Sequence, residues 1–232
     1  MEQILAIIPA RGGSKRLPKK NIMMFSGKPL LAYTIEAAQK SRYINRLIVS
    51  TEDKEIAHIA ASLHAEIINR PTELAQDASS TEDVIDDVLQ QLHQKEHYSP
   101  DIILLLQPTS PLRTTNDIDN AIELFLNTPC ESLISVTEYE HNPYWALRIK
   151  KGVLYQEFEK GRFKRSQELP ILYRPNGSLF LTRTKTFNKY RSFYTKHMIP
   201  FILPRERSID IDDEYDFSLA EFLYQKTRGE KK

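Results

Sequence analysis

The sequence is poor in residues that cross-link a chain or hold soft metals. Its 232 residues include a single cysteine, Cys130, one tryptophan and only seven glycines. One cysteine cannot form a disulfide within the chain, and it argues against a cysteine-based zinc site. The six histidines also show no metal-ligand spacing. We therefore expect Cys130 to serve as a buried packing residue.

An excess of one charge sign and long apolar runs are also missing. The 32 lysines and arginines nearly balance the 31 aspartates and glutamates, for a formal net charge of +1, so no overall field draws the chain to nucleic acid or to a membrane. The most apolar runs, such as residues 102–106, are too short to span a bilayer, and the N-terminus lacks the pattern of a secretory signal. We expect a cytoplasmic protein that binds neither nucleic acid nor membrane.

Apolar runs typical of β-strands alternate with helical patterns along most of the chain. This alternation predicts βαβ units and an α/β fold, with a mainly parallel sheet covered by helices on both faces. The length suits a single domain spanning 1–232. The predicted strand and helix pairs are 3–8 with 29–40, 46–50 with 53–63, 65–68 with 81–96 and 102–106 with 115–127, followed by strands at 132–136, 178–182 and 198–203 and a helix at 213–226.

The segment 138–168 departs from this alternation and is aromatic and basic. Two short β-like runs, 145–149 and 153–158, flank Lys151 and Gly152, which predicts a hairpin excursion from the main sheet. A two-stranded hairpin is marginally stable alone, so we expect it to pack against something else. A second subunit in a homodimer is the favoured partner, and packing over its own domain is the alternative.

The first predicted strand runs into a loop, residues 10–21, that is rich in glycine and cations. Gly12 and Gly13 are adjacent in a chain with few glycines, and the absence of side chains lets backbone N–H groups approach phosphate oxygens. Ligands of open α/β sheets gather at the carboxyl ends of strands, so this position favours a phosphate-binding loop over a basic surface turn. The spacing matches neither the P-loop nor the dinucleotide fingerprint. The cations that can neutralise phosphates here are Arg11, Lys15 and Lys20.

A pair of aspartates near the end of the chain is the second informative feature. In the extended run 208–213, Asp210 and Asp212 point to one face while the isoleucines beside them point to the other. Two carboxylates on one face are costly unless a cation lies between them, and a hard divalent ion with oxygen ligands fits best. We therefore predict that Asp210 and Asp212 bind Mg²⁺, with Mn²⁺ as the alternative ion. Asp213 is better placed to cap the following helix.

Three further polar segments stand at the ends of predicted elements. Two prolines stiffen the run 107–113, which follows the most apolar strand and holds Gln107 where a ligand would lie. Arg70 and the hydroxyls of residues 79–81 mark another strand-to-helix passage, where helix capping is the alternative to ligand binding. The run 174–177 is a turn by composition, because its glycine can take a positive φ.

These segments stand in a fixed order along nearly the whole chain: 8–15, 20–21, 70–71, 79–81, 107–113, 174–177 and 210–212. In combination they resemble the cytidylyltransferases that make CMP-sialic acids, and the combination is far more specific than any one segment. The resemblance implies a Rossmann-like fold of the nucleotide-diphospho-sugar transferase type. It also implies a dimer in which a hairpin from each subunit reaches toward the other's site, and segment 138–168 is similar in position and character.

The resemblance implies that CTP is coupled to a nine-carbon acidic sugar, a nonulosonic acid. The anomeric hydroxyl of the sugar attacks the α-phosphorus of CTP and pyrophosphate leaves, with Mg²⁺ as the cofactor. The implied catalytic residues are Lys20, Asp212 and Arg11, and a water held by Asp212 is the hypothesised base. The residues implied to bind the nucleotide are Arg11, Gly13, Ser14, Lys15, Lys20, Asn21, Arg70, Ser79, Ser80 and Thr81. Those implied to bind the sugar are Gln107, Trp145, Arg174, Asn176, Gly177 and Phe180, and those implied to bind the metal are Asp210 and Asp212.

Two residues bear on which sugar is activated. Trp145 lies where enzymes acting on N-acetylneuraminate tend to offer a cationic side chain, and Phe180 replaces a tyrosine that is common after the 174–177 segment. Both changes remove polar partners, and a buried hydroxyl without a partner costs about 1–3 kcal/mol. An aromatic pocket therefore favours a sugar with a terminal methyl group and fewer hydroxyls. The chain also resembles bacterial synthetases for legionaminic acid, which is the favoured substrate.

Several other functions stand as alternatives. Within the family these are CMP-N-acetylneuraminate and CMP-pseudaminate synthetases, whereas the run 107–111 argues against a Kdo cytidylyltransferase. A glycosyltransferase of similar fold is a further alternative, but such enzymes typically carry an Asp-x-Asp metal motif in the middle of the chain. A non-catalytic nucleotide-binding protein would not need Asp210 and Asp212 to be paired.

Overall fold

The computed structural model describes residues 2–161 and 164–229. In this part of the chain the strands are β1 (Ile4–Pro9), β2 (Met24–Phe25), β3 (Lys28–Pro29), β4 (Arg46–Thr51), β5 (Glu66–Asn69), β6 (Ile102–Leu106), β7 (Ser132–Glu138), β8 (Leu147–Lys150), β9 (Val153–Gln156), β10 (Tyr173–Arg183) and β11 (Met198–Ile202). The α-helices are α1 (Leu30–Gln39), α2 (Lys54–Ser62), α3 (Thr81–Glu96), α4 (Thr115–Asn127), α5 (Thr184–Tyr190) and α6 (Glu214–Gly229). None of these helices has the length and apolarity that a bilayer crossing requires.

The central sheet has the strand order β11-β7-β10-β6-β1-β4-β5. β1 pairs in parallel with β4 and β6, β4 with β5, and β7 with β11. β10 runs antiparallel to both of its neighbours, β6 and β7. The sheet is therefore mainly parallel, as predicted, and the carboxyl ends of β1, β4 and β6 meet at one edge.

Helices cover both faces of the sheet, because alternate residues of each strand point to opposite sides. On β6, Ile102 and Leu104 join α1, α2 and α4 in one buried cluster, against which Cys130 also packs. Ile103 and Leu105 join α3 and α5 in a second cluster on the other face. A third cluster packs α6 against α1 and β2. The predicted α/β fold with helices on both faces is confirmed.

The predicted bounds of α3, β6 and α4 coincide with the observed ones. Both helices begin at clear capping signals. Ser80 accepts the backbone N–H of Asp83 at the start of α3, and Thr114 exchanges hydrogen bonds with Asp117 in a capping box at the start of α4. Such caps satisfy N–H groups that the first helical turn leaves unpaired, which is why they mark helix starts in a sequence.

Three features of the fold are not predicted by the sequence pattern. The β2–β3 hairpin and α5 are too short to show a period, with two residues in each strand and seven in the helix. The turn predicted at 174–177 is wrong, because these residues belong to β10. The register of β10 against β7 shifts between Pro175 and Phe180, so the strand contains a bulge there.

The segment after β7 leaves the main sheet, as predicted. β8 and β9 form a separate antiparallel hairpin. Its apolar side chains face solvent in the single chain, with Ile149 72% exposed and Leu154 61% exposed. Residues 162–163 of the predicted excursion lie outside the described residues.

Candidate active site

A cavity of about 580 Å³ opens at the carboxyl ends of β1, β5 and β6. It is lined by four stretches that are far apart in sequence. The predicted site residues that it brings together are Arg11, Ser14, Lys15, Lys20, Asn21, Arg70, Ser79, Ser80, Thr81, Gln107, Asp210 and Asp212. A second cavity of similar volume lies between α3 and α5, and none of the predicted site residues lines it.

The two glycines after β1 have different surroundings. Gly12 donates its N–H to the Glu52 carboxylate over 2.8 Å, and a side chain at Gly12 would collide with Asp53, the residue that caps α2. An added Cβ at Gly13 has nothing within 4 Å. Gly12 therefore fixes the loop against the end of β4, whereas Gly13 leaves space in which a ligand can approach the backbone.

Two cations of the loop after β1 contact one aspartate from the segment before α3. Arg11 Nη1 lies 3.1 Å from Asp77 Oδ1, and Lys15 contacts the other carboxylate oxygen. The hydrogen bond from Lys15, together with the charges of both cations, holds the pKa of Asp77 below its usual range. Both cations are thus paired with a carboxylate inside the cavity where the sequence predicts phosphate binding.

Two other cations of the same loop contact Asp212. Arg16 Nη2 lies 3.1 Å from Asp212 Oδ2, and Lys20 Nζ lies 3.4 Å from Oδ1. Lys20 also donates to the Ile211 carbonyl over 2.5 Å. The side chain of Lys20 is 13% exposed, compared with 71% for Arg16. Lys20 is therefore a fixed part of the cavity wall, while Arg16 lies mostly in solvent.

Asp210 is the more deeply placed of the two predicted metal ligands. Burial raises the pKa of Asp210, and the charge of Asp212 acts in the same direction, whereas a hydrogen bond from Thr109 opposes the shift. The Ile211 N–H donates to the Thr109 carbonyl over 2.9 Å. The aspartate pair is thereby tied to the proline-flanked turn after β6, and the raised pKa indicates a place where a bound cation would stabilise the carboxylate.

A buried hydrogen-bond chain runs behind the aspartates through the bulge of β10. Ser135 Oγ donates to Asn176 Oδ1 over 2.6 Å, and Asn176 Nδ2 donates to Ser208 Oγ over 2.9 Å. The Ser178 N–H also donates to Asn176 Oδ1. The sequence predicts Asn176 as a sugar ligand, but these buried partners engage its amide. These contacts give Asn176 a positioning role, since Ser208 stands two residues before Asp210, and its contact with the sugar stays a prediction.

Gly177 is the residue of the bulge that packs directly against the cavity residues Gln107 and Asp210. Its φ is +73°, a conformation that side chains rarely tolerate. An added Cβ would lie 2.6 Å from Gln107 Oε1 and 3.0 Å from Asp210 Oδ2. Glycine therefore allows the bulge, Gln107 and Asp210 to meet.

The segment from β5 to α3 forms the wall beside the loop. Arg70 is 4% exposed and donates to the Ser50 carbonyl over 2.7 Å and to the Ser50 hydroxyl over 3.2 Å. Burial lowers the pKa of Arg70. The capping alternative is confirmed for Ser80, whose hydroxyl accepts the Asp83 N–H over 3.0 Å. Ser80 also lines the cavity, so its capping role leaves it beside any ligand.

Asn21 carries a buried acceptor at the cavity wall. Its Nδ2 donates to the Arg11 carbonyl over 2.9 Å, and its Oδ1 is buried without a partner among the residues that the structure describes. Buried polar atoms in proteins are almost always hydrogen-bonded. The unpaired Oδ1 of Asn21 therefore indicates that it accepts a hydrogen bond from a hydroxyl or amino group of a ligand.

Three predicted sugar ligands lie away from the cavity of their own chain. Trp145 is on the excursion, where its ring N–H donates to the Lys164 carbonyl over 3.1 Å. Phe180 is buried in the second core cluster, 5.7 Å from the ring of Phe193, because it follows the bulge and points to the face that α3 and α5 cover. Arg174 is half-buried on β10. The single chain therefore does not form the aromatic pocket that the sequence predicts.

The donor set of the cavity fits a divalent cation. Asp210 and Asp212 both line it, and Mg²⁺ typically takes one or two protein carboxylates, with phosphate oxygens and water completing its shell. Among residues 2–161 and 164–229, no group of three or more histidine, cysteine, aspartate or glutamate side chains is arranged to hold a metal. A cation here would thus depend on a phosphorylated ligand for its remaining partners.

Several residues of the site are not predicted from the sequence. Asp77, Arg16 and Leu74 line the cavity, and Glu52 accepts a hydrogen bond from Gly12 in the loop after β1. Asp77 carries a usable signal, since it is a carboxylate in a stretch whose other polar residues are predicted to bind an anionic ligand. Glu52 shows no such signal, because its contact with Gly12 depends on the pairing of β1 with β4.

Comparisons with known proteins agree on one enzyme family. The family model described as Cytidylyltransferase matches residues 5–228. The chain is 38% identical over 231 residues to "CMP-N,N'-diacetyllegionaminic acid synthase" of Legionella pneumophila subsp. pneumophila, covering 96% of this chain and 97% of that protein. It is 35% identical over 231 residues to "N-acylneuraminate cytidylyltransferase" of Escherichia coli O18:K1:H7, covering 99% of this chain. The chain spans 54% of the length of this E. coli relative.

The architecture also has a counterpart among solved structures. It is similar to CMP:2-keto-3-deoxy-manno-octonic acid synthetase complexed with CTP, with a TM-score of 0.71 that covers 97% of this chain and 99% of that chain. The sequence identity is 15%, so this likeness concerns the fold alone.

Proposed function

Because this chain belongs to the cytidylyltransferase family, we propose that it transfers the cytidylyl group of CTP to the anomeric hydroxyl of a nonulosonic acid. The products are a CMP-sugar and pyrophosphate. N,N′-diacetyllegionaminic acid is the favoured acceptor, in keeping with the 38% identity to the Legionella enzyme. The observation that carries the proposal is the meeting of the loop cations with Asp210 and Asp212 in one cavity.

The cavity supplies positioning and charge neutralisation, which are the main requirements of phosphoryl transfer. The anomeric oxygen forms a bond to the α-phosphorus while the bond from that phosphorus to the oxygen of the leaving pyrophosphate breaks. Lys20, fixed by the Ile211 carbonyl and Asp212, is placed to neutralise charge that develops on the α-phosphate. A water held by Asp212, the hypothesised base, takes up the hydroxyl proton and releases a proton to solvent.

Asp210 and Asp212 are the residues that would hold Mg²⁺. When bound, Mg²⁺ supplies positive charge beside the phosphate oxygens. The raised pKa of Asp210 supports this assignment, because a carboxylate that burial disfavours gains most from an adjacent cation.

The sugar is placed beside the aspartate pair. Gln107 lines the cavity, and only a glycine at position 177 leaves room for Gln107 Oε1 and Asp210 Oδ2 beside the bulge. The amide of Gln107 is a suitable partner for the carboxylate and hydroxyls of an acidic sugar. Arg174 and Phe180 have weaker support, because they do not line the cavity.

We also propose a homodimer formed through the excursion. The hairpin exposes apolar side chains on both strands, with Leu147 55% and Val153 52% exposed, and such a surface is unusual on a monomer. A dimer covers this face and carries Trp145 toward the partner's cavity. Trp145 then contributes to the sugar site of the neighbour rather than to its own.

The test is pyrophosphate release with CTP and Mg²⁺, with N,N′-diacetyllegionaminic, N-acetylneuraminic and pseudaminic acids offered separately at equal concentration. We expect legionaminate to be preferred by about tenfold or more in kcat/KM, a difference of about 1.4 kcal/mol. Preference for N-acetylneuraminate or pseudaminate would overturn the acceptor and leave the chemistry standing. No release with any of the three would contradict the proposed function itself.

A further inference from the structure

One carboxylate in the cavity faces the same cations that the nucleotide would use. Arg11 and Lys15 each contact a different oxygen of Asp77, Arg11 over 3.1 Å. Asp77 also lines the cavity. Guanidinium and ammonium groups bind carboxylate and phosphate oxygens with similar geometry. Asp77 and a phosphate group therefore compete for the same two partners.

The contacts of Asp77 are of the kind that exchange readily. The side chains of Lys15, Asp77 and Arg11 are 81%, 44% and 35% exposed. Exposed ion pairs contribute little to stability, because water and salt replace either partner at small cost. A phosphate group with more charge than a carboxylate can thus take over both cations without disturbing the fold.

The division of the cations indicates which part of the nucleotide meets Asp77. Arg16 and Lys20 contact Asp212, at the end of the cavity where Asp210, Gln107 and Gly177 adjoin and where the sugar attacks the α-phosphorus. Arg11 and Lys15 contact Asp77 instead. We therefore expect Arg11 and Lys15 to bind the β- and γ-phosphates, which leave together as pyrophosphate.

We propose that Asp77 is a specificity-determining residue that competes with the pyrophosphate portion of CTP for Arg11 and Lys15. This inference rests on the proposed function. The carboxylate lowers the affinity for pyrophosphate and so favours its departure after cytidylyl transfer, when Asp77 recovers both cations. A ligand without β- and γ-phosphates leaves the Asp77 contacts intact and is bound without that competition.

The test is the affinity of the Asp77→Asn variant for pyrophosphate, CTP and CMP, measured by calorimetry with Mg²⁺ present. Two exposed ion pairs lead us to expect about fivefold tighter binding of pyrophosphate and CTP, with CMP unchanged within about twofold. Pyrophosphate should also become a stronger product inhibitor by a similar factor. Asp77→Ser removes the same charge with a different shape and should behave in the same way.

Glu73→Gln is the matched control. Glu73 is exposed in the same segment and does not line the cavity, so its loss changes the local charge equally and should leave all three affinities unchanged. Unchanged or weaker pyrophosphate binding in both Asp77 variants would overturn the inference, as would equal tightening of CMP. Wild-type protein that fails to bind CTP would instead count against the proposed function, so the two failures are distinguishable.

Discussion

The two sides of the cavity are held in place by different interactions. The aspartate wall, formed by Gln107, Thr109, Gly177 and Asp210, is fixed by the buried hydrogen bonds of Asn176 and by backbone contacts. The cationic loop, residues 11–20, contacts Asp77 and Asp212 across the cavity through ion pairs that solvent reaches at Arg11, Lys15 and Arg16, whereas Lys20 is largely buried.

This difference corresponds to two tasks. A buried hydrogen bond is costly to leave unmade, so it fixes a geometry. An exposed ion pair is worth little and can be exchanged for a ligand of the same charge. The aspartate wall is thus suited to aligning a metal, a sugar and a phosphorus atom, whereas the cationic loop is suited to receiving a triphosphate and releasing pyrophosphate.

The largest expected effect is on the charge of the aspartate wall. Asp210→Asn keeps the shape of the side chain but removes a metal-binding charge, and we expect kcat/KM to fall about a thousandfold. The melting temperature should stay the same or rise, because burial disfavours the charged carboxylate. Asp213→Asn, an exposed helix cap nearby, is the control and should keep full activity. A tenfold loss or less in Asp210→Asn would show that Asp210 does not hold the metal.

The next effect tests how closely the aspartate wall is packed. Gly177→Ala places a Cβ 2.6 Å from Gln107 Oε1 at a φ of +73°, and we expect kcat/KM to fall about tenfold to a hundredfold. Gly27→Ala is the matched control, since Gly27 has a φ of +92° and nothing within 4 Å of an added Cβ. Both variants carry backbone strain, but only Gly177→Ala should lose activity. Equal activity in the two variants would contradict the account of Gly177.

The buried chain behind the aspartate wall should show its effect in stability. Asn176→Ala removes one hydrogen-bond partner from each of Ser135 Oγ, Ser208 Oγ and the Ser178 N–H, and we expect the free energy of unfolding to fall by about 3 kcal/mol. Asn127→Ala, at an exposed helix end, should cost less than about 0.5 kcal/mol. Urea titration of both variants measures the difference. Similar values would mean that the Asn176 network does not hold the wall.

The smallest effect concerns the pH dependence of the aspartate wall. Burial raises the pKa of Asp210 above 3.8, so the folded chain binds this proton more tightly than the unfolded chain. Wild-type stability should therefore fall relative to Asp210→Asn as pH rises from about 4 to the raised pKa, with a slope of at most about 1.4 kcal/mol per pH unit. Urea unfolding in EDTA across this range measures the difference. A difference that stays constant with pH would contradict the raised pKa.

The sequence predicts the parts of the fold that local interactions determine. Ser80 and Thr114 mark helix starts because a cap satisfies N–H groups within its own helical turn. The run 102–106 is apolar at every position because both faces of β6 are covered. The shared placement of Asp210 and Asp212 could be predicted for the same reason, since alternate residues of the run 209–212 face the cavity and the core.

The sequence does not predict features that depend on contacts between distant segments. The residues around Asn176 are typical of a turn, and only the pairing of β10 with β7 makes Asn176 a buried support for Ser208. The sequence predicts that Phe180 lines the sugar site, but the bulge that precedes it turns its ring into the core. Asp77 contacts the cationic loop because the ends of β1 and β5 lie at one edge of the sheet.

A crystal structure with CTP and Mg²⁺ tests the central claim most directly. The account predicts the triphosphate between the cationic loop and the aspartate wall, with Arg11 and Lys15 moved from Asp77 to phosphate oxygens and with Gln107, Gly177 and Asp210 in their present positions. Nucleotide bound in the cavity between α3 and α5, or bound at the loop with both Asp77 ion pairs intact, would contradict it.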